Sequence, residues 1–229
     1  MTTNNSTALS IGVIGLGAMG KGMAGSLRRA GHHVSVCDVR FDAAEAFAKE
    51  GGTAHKTPAD LAKHVDIIVS VVVNADQTEQ VLFGEHGAAA HMKSGSLFIM
   101  CSTVDPNWSV ALEKRLNDLG LLYLDAPISG GAAKAASGQM TMMTSGQAAA
   151  YAKAGNALES MAANVYKLGD RAGFGSKVKI INQLLAGVHI AAAAEAMALG
   201  LREGVAADAL YEVITNSAGN SWMFENRMA

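Results

Sequence analysis

Lys179 is the residue of this sequence best placed for acid–base chemistry. It lies in a long helical pattern, from Ser176 to about Glu203, together with the amides Asn182 and Gln183. Side chains three and four residues apart meet on one face of a helix, so the amine and the two amides share a side, whereas Lys177 points away from it. A lysine near a helix start is more often a solvated side chain, so the rest of the chain must support this interpretation.

A glycine-rich turn near the amino end of the chain predicts a dinucleotide-binding site. The turn reads Gly15-Leu16-Gly17-Ala18-Met19-Gly20 and lies between an apolar strand predicted at Leu9–Ile14 and a helical run that ends near Ala30. In this setting the first glycine permits the tight turn, the second lets the backbone approach a pyrophosphate, and the third lets helix and strand pack closely. The phosphate oxygens would lie at the amino end of the helix. The alternative is a glycine turn in an α/β domain that holds no ligand.

An acidic residue, Asp38, follows the next predicted strand, His33–Cys37, where a dinucleotide fold places its ribose ligand. Its carboxylate would accept a hydrogen bond from the ribose 2′-hydroxyl and repel a 2′-phosphate, which favours NAD over NADP. Arg40 follows after Val39 and could pair with such a phosphate if it turned inward. NADP therefore stays open as the less favoured cofactor.

Two further predicted strands end in side chains that could line the cofactor. The apolar strand Asp66–Val73 is closed by Asn74, and the strand Leu97–Met100 leads to Thr103. The carboxyl ends of the strands in a Rossmann sheet face the cofactor. The candidates are Val72, Val73, Asn74 and Thr103. The alternatives are a plain strand-to-helix turn at Asn74 and, for Thr103, capping of the helix that follows it.

A second glycine-rich stretch, Ser129-Gly130-Gly131, follows a strand predicted at Leu121–Asp125. Consecutive backbone N–H groups that open toward a helix form a concave anion site, and the Ser129 hydroxyl adds a donor. This stretch is therefore a candidate site for a substrate carboxylate. The alternative is a flexible turn.

Helical and strand-like segments alternate from the glycine turn to about Leu168, which predicts an α/β domain with a parallel sheet. We predict one continuous helix over Gln147–Met161 and a last strand at Asn164–Leu168. We expect a Rossmann-type dinucleotide-binding domain at residues 1–169 and a partial all-helical domain at residues 170–229. The second part, one long helix, a shorter one around Ala207–Ser217 and a tail, cannot bury its own apolar stripe.

Composition narrows the class of protein and its partners. Half of the 229 residues are hydrophobic, 17% are charged and the net charge is −2. This is typical of a folded protein, and without a run of basic residues it argues against a nucleic-acid or anionic-membrane partner. The apolar stretch Ile180–Gly200 is interrupted by polar side chains, which argues against a membrane span. These are Asn182, Gln183, His189 and Glu195.

Cysteine usage and the amino-terminal segment predict a cytoplasmic location. Cys37 and Cys101 are interpreted as free buried thiols in a reducing compartment. The polar start, MTTNNSTA, shows no targeting peptide. We predict no metal site, and His32 and His33 are expected to be solvated loop residues rather than ligands.

Three motifs in register resemble a known family. GLGAMGKGMAGSL, DAPISGGAAKAASG and GFGSKVKIINQLL together resemble the β-hydroxyacid dehydrogenases, the group that includes 3-hydroxyisobutyrate dehydrogenase and tartronate semialdehyde reductase. The ending AGNSWMFENRM is most similar to the L-threonate dehydrogenase branch. The resemblance implies an NAD(P)-binding domain, an all-helical domain and a lysine on the interdomain helix that handles the substrate proton. That lysine matches Lys179.

The sequence also departs from the pattern of that family. Gln183 stands where the family usually has Asn, which suggests a shifted substrate. The family continues for several more helices, so we expect the helical domain to be truncated at its carboxyl end.

The resemblance implies NAD-linked oxidation of a small hydroxy acid, such as the four-carbon sugar acid L-threonate. Because the helical part cannot bury its own apolar stripe, we expect a homodimer or homotetramer that pairs through the long helix. The alternatives are reduction of a tartronate- or succinic-type semialdehyde and a non-catalytic dinucleotide-binding or chromatin-associated module.

Overall fold

The computed structural model describes residues 8–229, so the amino-terminal segment from which we predict no targeting peptide lies outside the described residues except for Ala8. The chain divides into two compact units, one ending at Lys179 and the other spanning Ile180–Ala229. This division falls inside the longest helix. The domain boundary predicted between residues 169 and 170 lies before that helix and remains a prediction.

The elements follow one another in the predicted alternation. The strands are β1 Ser10–Ile14, β2 His33–Cys37, β3 Thr53–Ala54, β4 Ile67–Ser70, β5 Leu97–Met100, β6 Leu122–Asp125, β7 Ile128–Ser129, β8 Met140–Thr144 and β9 Ala162–Lys167. The helices are α1 Gly20–Arg29, α2 Phe41–Lys49, α3 Pro58–Ala62, α4 Ala75–Phe83, α5 Pro106–Asp118, α6 Gly131–Ser137, α7 Ala148–Ala154, α8 Ala157–Met161, α9 Phe174–Arg202, α10 Ala207–Thr215 and α11 Trp222–Arg227. A short 3₁₀ turn lies at Ala89–His91.

Six strands form a parallel sheet in the order β3-β2-β1-β4-β5-β6, which confirms the predicted Rossmann-type architecture. Successive side chains of a strand point to opposite faces, and here they join different apolar clusters: Val69 packs in one and Ile68 in the other. Burial on both faces explains why the strands are continuous Ile, Val and Leu runs. The order reverses beside β1, where β2 lies on one side and β4 on the other. Ligands of such sheets bind beyond the carboxyl ends of the strands at this point.

Two predictions for the part of the chain between β7 and β9 are wrong. The three-stranded sheet β7-β8-β9 is not parallel throughout, because β7 pairs antiparallel with β8 while β8 pairs parallel with β9. The single helix predicted over Gln147–Met161 is wrong: α7 and α8 are separated by Gly155, whose φ of 54° lies outside the helical region. The apolar pattern runs through both helices, so periodicity alone did not show the break.

Two local predictions near the main sheet are also wrong. The strand predicted over Asp66–Val73 ends as β4 at Ser70, and residues 71–74 form the loop into α4. His32, predicted to be solvated, is buried. Its Nδ1 accepts a hydrogen bond from the Leu9 N–H at 3.3 Å, and its Nε2 lies 3.2 Å from the Ser160 hydroxyl. Burial lowers the pKa of His32, so this histidine is a neutral packing residue.

The second unit consists of the remainder of α9 with α10 and α11. The Tyr211 hydroxyl donates to the Glu225 carbonyl at 2.8 Å, and the Tyr211 ring stacks on Phe224, which joins the two short helices. By length and composition alone, α9 is long and apolar enough to cross a membrane. It exposes the large apolar side chains Ile181, Leu184, Leu185, Val188 and Ile190.

Candidate active site

The glycine turn has the geometry of a phosphate cradle. Gly15 has a φ of 92°, which side-chain-bearing residues rarely adopt, and its N–H donates to the Cys37 carbonyl at 2.9 Å. A Cβ at Gly20 would collide with the Gly15 carbonyl oxygen, so this position permits the close approach of α1 to β1. A Cβ at Gly17 would meet no atom within 4 Å. The space beside Gly17 is therefore open to a ligand.

Asp38 ties this turn to the end of β2. One carboxylate oxygen accepts from the Leu16 N–H at 2.6 Å and the other from the Arg40 N–H at 2.8 Å. The side chain is buried, and Nε of the exposed Arg40 lies 3.8 Å from it. Because the carboxylate holds two backbone donors in place, it is preorganised before any ligand arrives.

A cavity of about 740 Å³ opens beside the turn. Of the predicted cofactor residues, Gly15, Gly17, Asp38, Val39, Arg40, Val72 and Val73 line it. Lys56, Gln77 and Gln80 also line it, and the sequence analysis did not single them out. The Gln77 side-chain carbonyl accepts from the Val73 N–H at 2.9 Å and so holds the cavity wall. The signal in the sequence that could have identified Lys56, Gln77 and Gln80 is that each lies in a segment that follows a strand.

The other predicted cofactor residues have distinct local roles. Leu16 supplies the N–H bound by Asp38, and Ala18 and Met19 lead from the exposed part of the turn into α1. The Asn74 side chain accepts from the Gln77 N–H at 2.9 Å and thus caps α4. Thr103 is exposed, and the alternative prediction that it caps the following helix is wrong, because the cap of α5 is Asp105.

The second glycine stretch forms the junction of β7 and α6. Ser129 ends β7 and is half-buried, and Gly130 and Gly131 follow with φ of 142° and 76°. Two successive residues with positive φ turn the backbone sharply before the helix begins at Gly131. This conformation requires glycine at both positions.

Lys179 is buried, with 7% of its surface exposed, and burial lowers its pKa because desolvation disfavours the charged amine. Lys177 is exposed, and its Nζ lies 5.0 Å from the centre of the Phe174 ring. The two lysines thus occupy different environments, as their helical positions predict. Asn182 and Gln183 are exposed and lie three and four residues beyond Lys179 on the same helix.

A buried carboxylate that the sequence analysis named only as the end of a predicted strand lies against the start of this helix. Asp125 is fully buried at the end of β6, and it accepts from the N–H groups of Gly173 and Ser176, both at 2.9 Å. It also accepts from the Ser176 hydroxyl at 2.7 Å. The signal in the sequence was an acidic residue at the end of an apolar strand.

Three side chains elsewhere bring possible metal ligands together. The ligand atoms of His55, Asp60 and His64 lie within 4.8 Å of one another. His55 Nδ1 lies 3.1 Å from an Asp60 carboxylate oxygen, and this hydrogen bond is the main cause of the lowered Asp60 pKa. A hydrogen-bonded pair beside a stacked histidine ring accounts for this arrangement.

Comparisons with known families agree with this geometry. Residues 10–169 match the NAD-binding domain of 6-phosphogluconate dehydrogenase, and residues 173–229 match the NAD-binding region of NADP-dependent 3-hydroxyisobutyrate dehydrogenase. The chain belongs to the 3-hydroxyisobutyrate dehydrogenase-like family. It is therefore a hydroxyacid dehydrogenase with an NAD-binding domain, and the resemblance found in the sequence is confirmed.

Individual relatives cover nearly all of this chain. An L-threonate dehydrogenase of Cupriavidus necator is 63% identical to it over 96% of this chain and 74% of the relative. An NAD-dependent L-serine dehydrogenase of Pseudomonas aeruginosa is 35% identical over 94% of this chain and 72% of the relative. A solved structure of 3-hydroxyisobutyrate dehydrogenase from Salmonella typhimurium, 49% identical, superposes with a TM-score of 0.91 over 95% of this chain and 76% of that one.

Proposed function

We propose that this 3-hydroxyisobutyrate dehydrogenase-like chain is an NAD-dependent enzyme that oxidises a hydroxyl group of a four-carbon sugar acid such as L-threonate. The observation that carries the proposal is its 63% identity to an L-threonate dehydrogenase over 96% of the chain. The buried Lys179 supplies the group that such an oxidation needs, a base whose pKa is lowered by burial, which favours the neutral amine.

The described residues fit a nicotinamide dinucleotide. The open space at Gly17 admits a pyrophosphate, and the preorganised Asp38 carboxylate lies on the wall of the adjacent cavity. In this proposal the turn from Gly15 to Gly20 holds the phosphates and Asp38 the adenosine ribose, while the remaining candidates line the cofactor. When bound, the nicotinamide accepts the hydride of the substrate carbon.

The chain's own groups then hold the substrate and its proton. Ser129 and the N–H groups of Gly130 and Gly131 hold the substrate carboxylate, since backbone donors in a concave turn favour an anion. The substrate hydroxyl donates its proton to the neutral Nζ of Lys179. Asn182 and Gln183 follow on the same side of α9, and we assign them to the remaining hydroxyl groups of the substrate. The longer Gln183 side chain suits a polyhydroxylated substrate.

NAD is the proposed cofactor because the Asp38 carboxylate would repel a 2′-phosphate. Arg40 is the residue that could reverse this preference, since its side chain is exposed on the cavity wall close to Asp38. Titration of the protein with NADH and NADPH tests the assignment, and tighter binding of NADPH would refute it. The variant Arg40→Ala should leave NADH binding nearly unchanged.

The activity is tested on the full-length protein with NAD and a panel of hydroxy acids, by following the absorbance of NADH. We expect the highest kcat/KM with L-threonate, and lower values with L-serine and 3-hydroxyisobutyrate. Faster NADH consumption with tartronate semialdehyde would identify a reductase instead. Absence of turnover with every compound, although NADH binds, would indicate a non-catalytic dinucleotide-binding module.

A further inference from the structure

The amino end of α9 is held by buried polar side chains of the main domain. The first N–H groups of a helix have no intrahelical acceptor and need partners elsewhere. Here the N–H groups of Gly173 and Ser176 donate to one oxygen of the Asp125 carboxylate, while the Ser176 hydroxyl donates to the other. One buried carboxylate thus binds residues on both sides of the first helical residue, Phe174.

Ser145 completes this arrangement. Its hydroxyl donates to Asp125 at 3.2 Å and accepts from the Gly175 N–H at 2.9 Å. The backbones of Asp125 and Ser145 also pair with each other, through N–H···O distances of 3.0 and 2.8 Å. A Cβ at Gly175 would collide with the Met143 carbonyl oxygen, so the helix start lies directly against the sheet. Three N–H groups at the helix start therefore donate to two side chains, Asp125 at the end of β6 and Ser145 directly after β8.

This attachment determines where Lys179 lies. Lys179 follows Ser176 by three residues, so it shares that face of the helix, one turn on. Helical side chains lean toward the amino end of their helix, which directs the lysine side chain back toward the anchored turn. A rotation or shift of the helix start would move Nζ by a comparable distance. Misplacement by about 1 Å can cost on the order of 10²-fold in rate.

The charge of Asp125 suits this role. Burial raises the pKa of its carboxyl group, and the hydrogen bonds from Ser176, Gly173 and Ser145 oppose that rise by stabilising the anion. A negative charge at the amino end of a helix is also favoured by the helix dipole. An asparagine would lack this charge, and its NH₂ group would replace the oxygen that now accepts from the Ser176 hydroxyl, so that hydroxyl would have to turn and accept instead.

We propose that Asp125 is a positioning residue for the reaction, which fixes the start of α9 and thereby places the amine of Lys179 against the substrate hydroxyl. The inference rests on the proposed role of Lys179 as the base. It predicts that loss of the Asp125 carboxylate lowers the rate only through Lys179. A purely structural role would lower stability and leave the rate of the folded enzyme unchanged.

The test compares Asp125→Asn, Lys179→Met and the double variant in the full-length enzyme. Thermal unfolding is measured for each, so that rates are taken where all are folded. We expect Asp125→Asn to lower kcat at least tenfold while the Kd of NADH changes less than twofold. In the Lys179→Met background the same substitution should cause no further loss. Equal losses in both backgrounds, or an unchanged kcat, would overturn the proposal.

Two further variants keep the test decisive. Ser176→Ala removes the hydroxyl that donates to Asp125 and retains the backbone hydrogen bonds. It should lower kcat by less than Asp125→Asn does, and it keeps the proposal testable if Asp125→Asn does not fold. Ser160→Ala removes a hydroxyl on α8 that donates to the Asn156 carbonyl and lies 3.2 Å from His32 Nε2, and none of these residues contacts the helix start or its anchor. It should lose stability and keep kcat. If Lys179→Met itself keeps full activity, the assignment of Lys179 as the base fails, whereas failure of the proposed function would show as absence of turnover in the wild-type enzyme; both outcomes are distinct from failure of the Asp125 inference alone.

Discussion

Lys179 and Lys177 give a matched pair of variants, because they lie two residues apart on one helix in opposite environments. Lys179 is buried, whereas Lys177 is exposed beside the Phe174 ring. A positioned acid or base contributes about 10²–10⁴-fold to a rate. Lys179→Met should therefore lower kcat by that order with NADH binding nearly unchanged, and Lys177→Met should have little effect. Steady-state kinetics of both variants decide this, and equal losses would show that the catalytic face of the helix is assigned wrongly.

The same burial predicts a pH dependence of the oxidation. Desolvation lowers the pKa of Lys179, so the neutral amine that accepts the proton becomes available at lower pH than for an ordinary lysine. The value of kcat/KM should rise with pH, and the midpoint of the rise should lie below the ordinary lysine pKa of about 10.4. The rise should be absent in Lys179→Met. A rise that persists unchanged in that variant would assign it to another group.

At single positions, the sequence was a better guide to the direction of a side chain on a helix than to its long-range contacts. The burial of Lys179 agrees with its predicted face, because helical periodicity fixes direction. The contacts of Asp125 with Gly173 and Ser176 join residues about fifty positions apart, so local patterns did not reveal them. His32 was misjudged for the same reason, since its partner Ser160 lies on a distant helix.

The glycine turn between β1 and α1 allows binding and folding to be separated. The Gly17 position has room for a methyl group and lacks a positive φ, so Gly17→Ala should fold normally. The added methyl group would occupy the space proposed for the pyrophosphate. We expect NADH affinity to fall at least tenfold while the unfolding temperature changes little.

Two other glycines provide controls for that experiment. Gly187, on the exposed part of α9, also has no atom within 4 Å of a Cβ, so Gly187→Ala should leave NADH binding unchanged. Gly20→Ala should instead destabilise the fold, because its Cβ collides with the backbone of Gly15. Unchanged NADH affinity in Gly17→Ala would place the dinucleotide elsewhere.

Five of the six strands of the main sheet could be predicted, because each of the five carries its own signal in the sequence. Strands such as β4 and β5 are short apolar runs between polar turns, and their existence was predicted even where the end was not. The two-residue strands β3 and β7 were not predicted, since they are defined by pairing with β2 and β8 rather than by their own sequence. Pairing with a neighbouring strand, rather than local propensity, therefore determines that these two segments are strands.

Among the described residues, packing within the chain does not account for the exposed apolar side chains of α9. In the second unit α9 exposes Leu184 and Leu185, at 68% and 54% of their surface, among other large apolar side chains. Exposed contiguous apolar surface commonly marks a protein–protein or membrane contact. The polar residues Asn182, Gln183 and Glu195 lie within the same stretch and disfavour a lipid environment. We therefore expect this face to be covered by protein.

We predict that a second copy of the chain covers the exposed apolar face of α9, because the Ala-rich segment 191–194 would let two helices approach closely. Light scattering of the full-length protein at micromolar concentration should show a dimer or a larger assembly. Leu184→Lys should shift it toward monomer, because a charge would enter an apolar contact. Leu119→Lys, at the exposed leucine that directly follows α5, should not. A wild-type protein that is monomeric would contradict the prediction, since the exposed face of α9 would then need another cover.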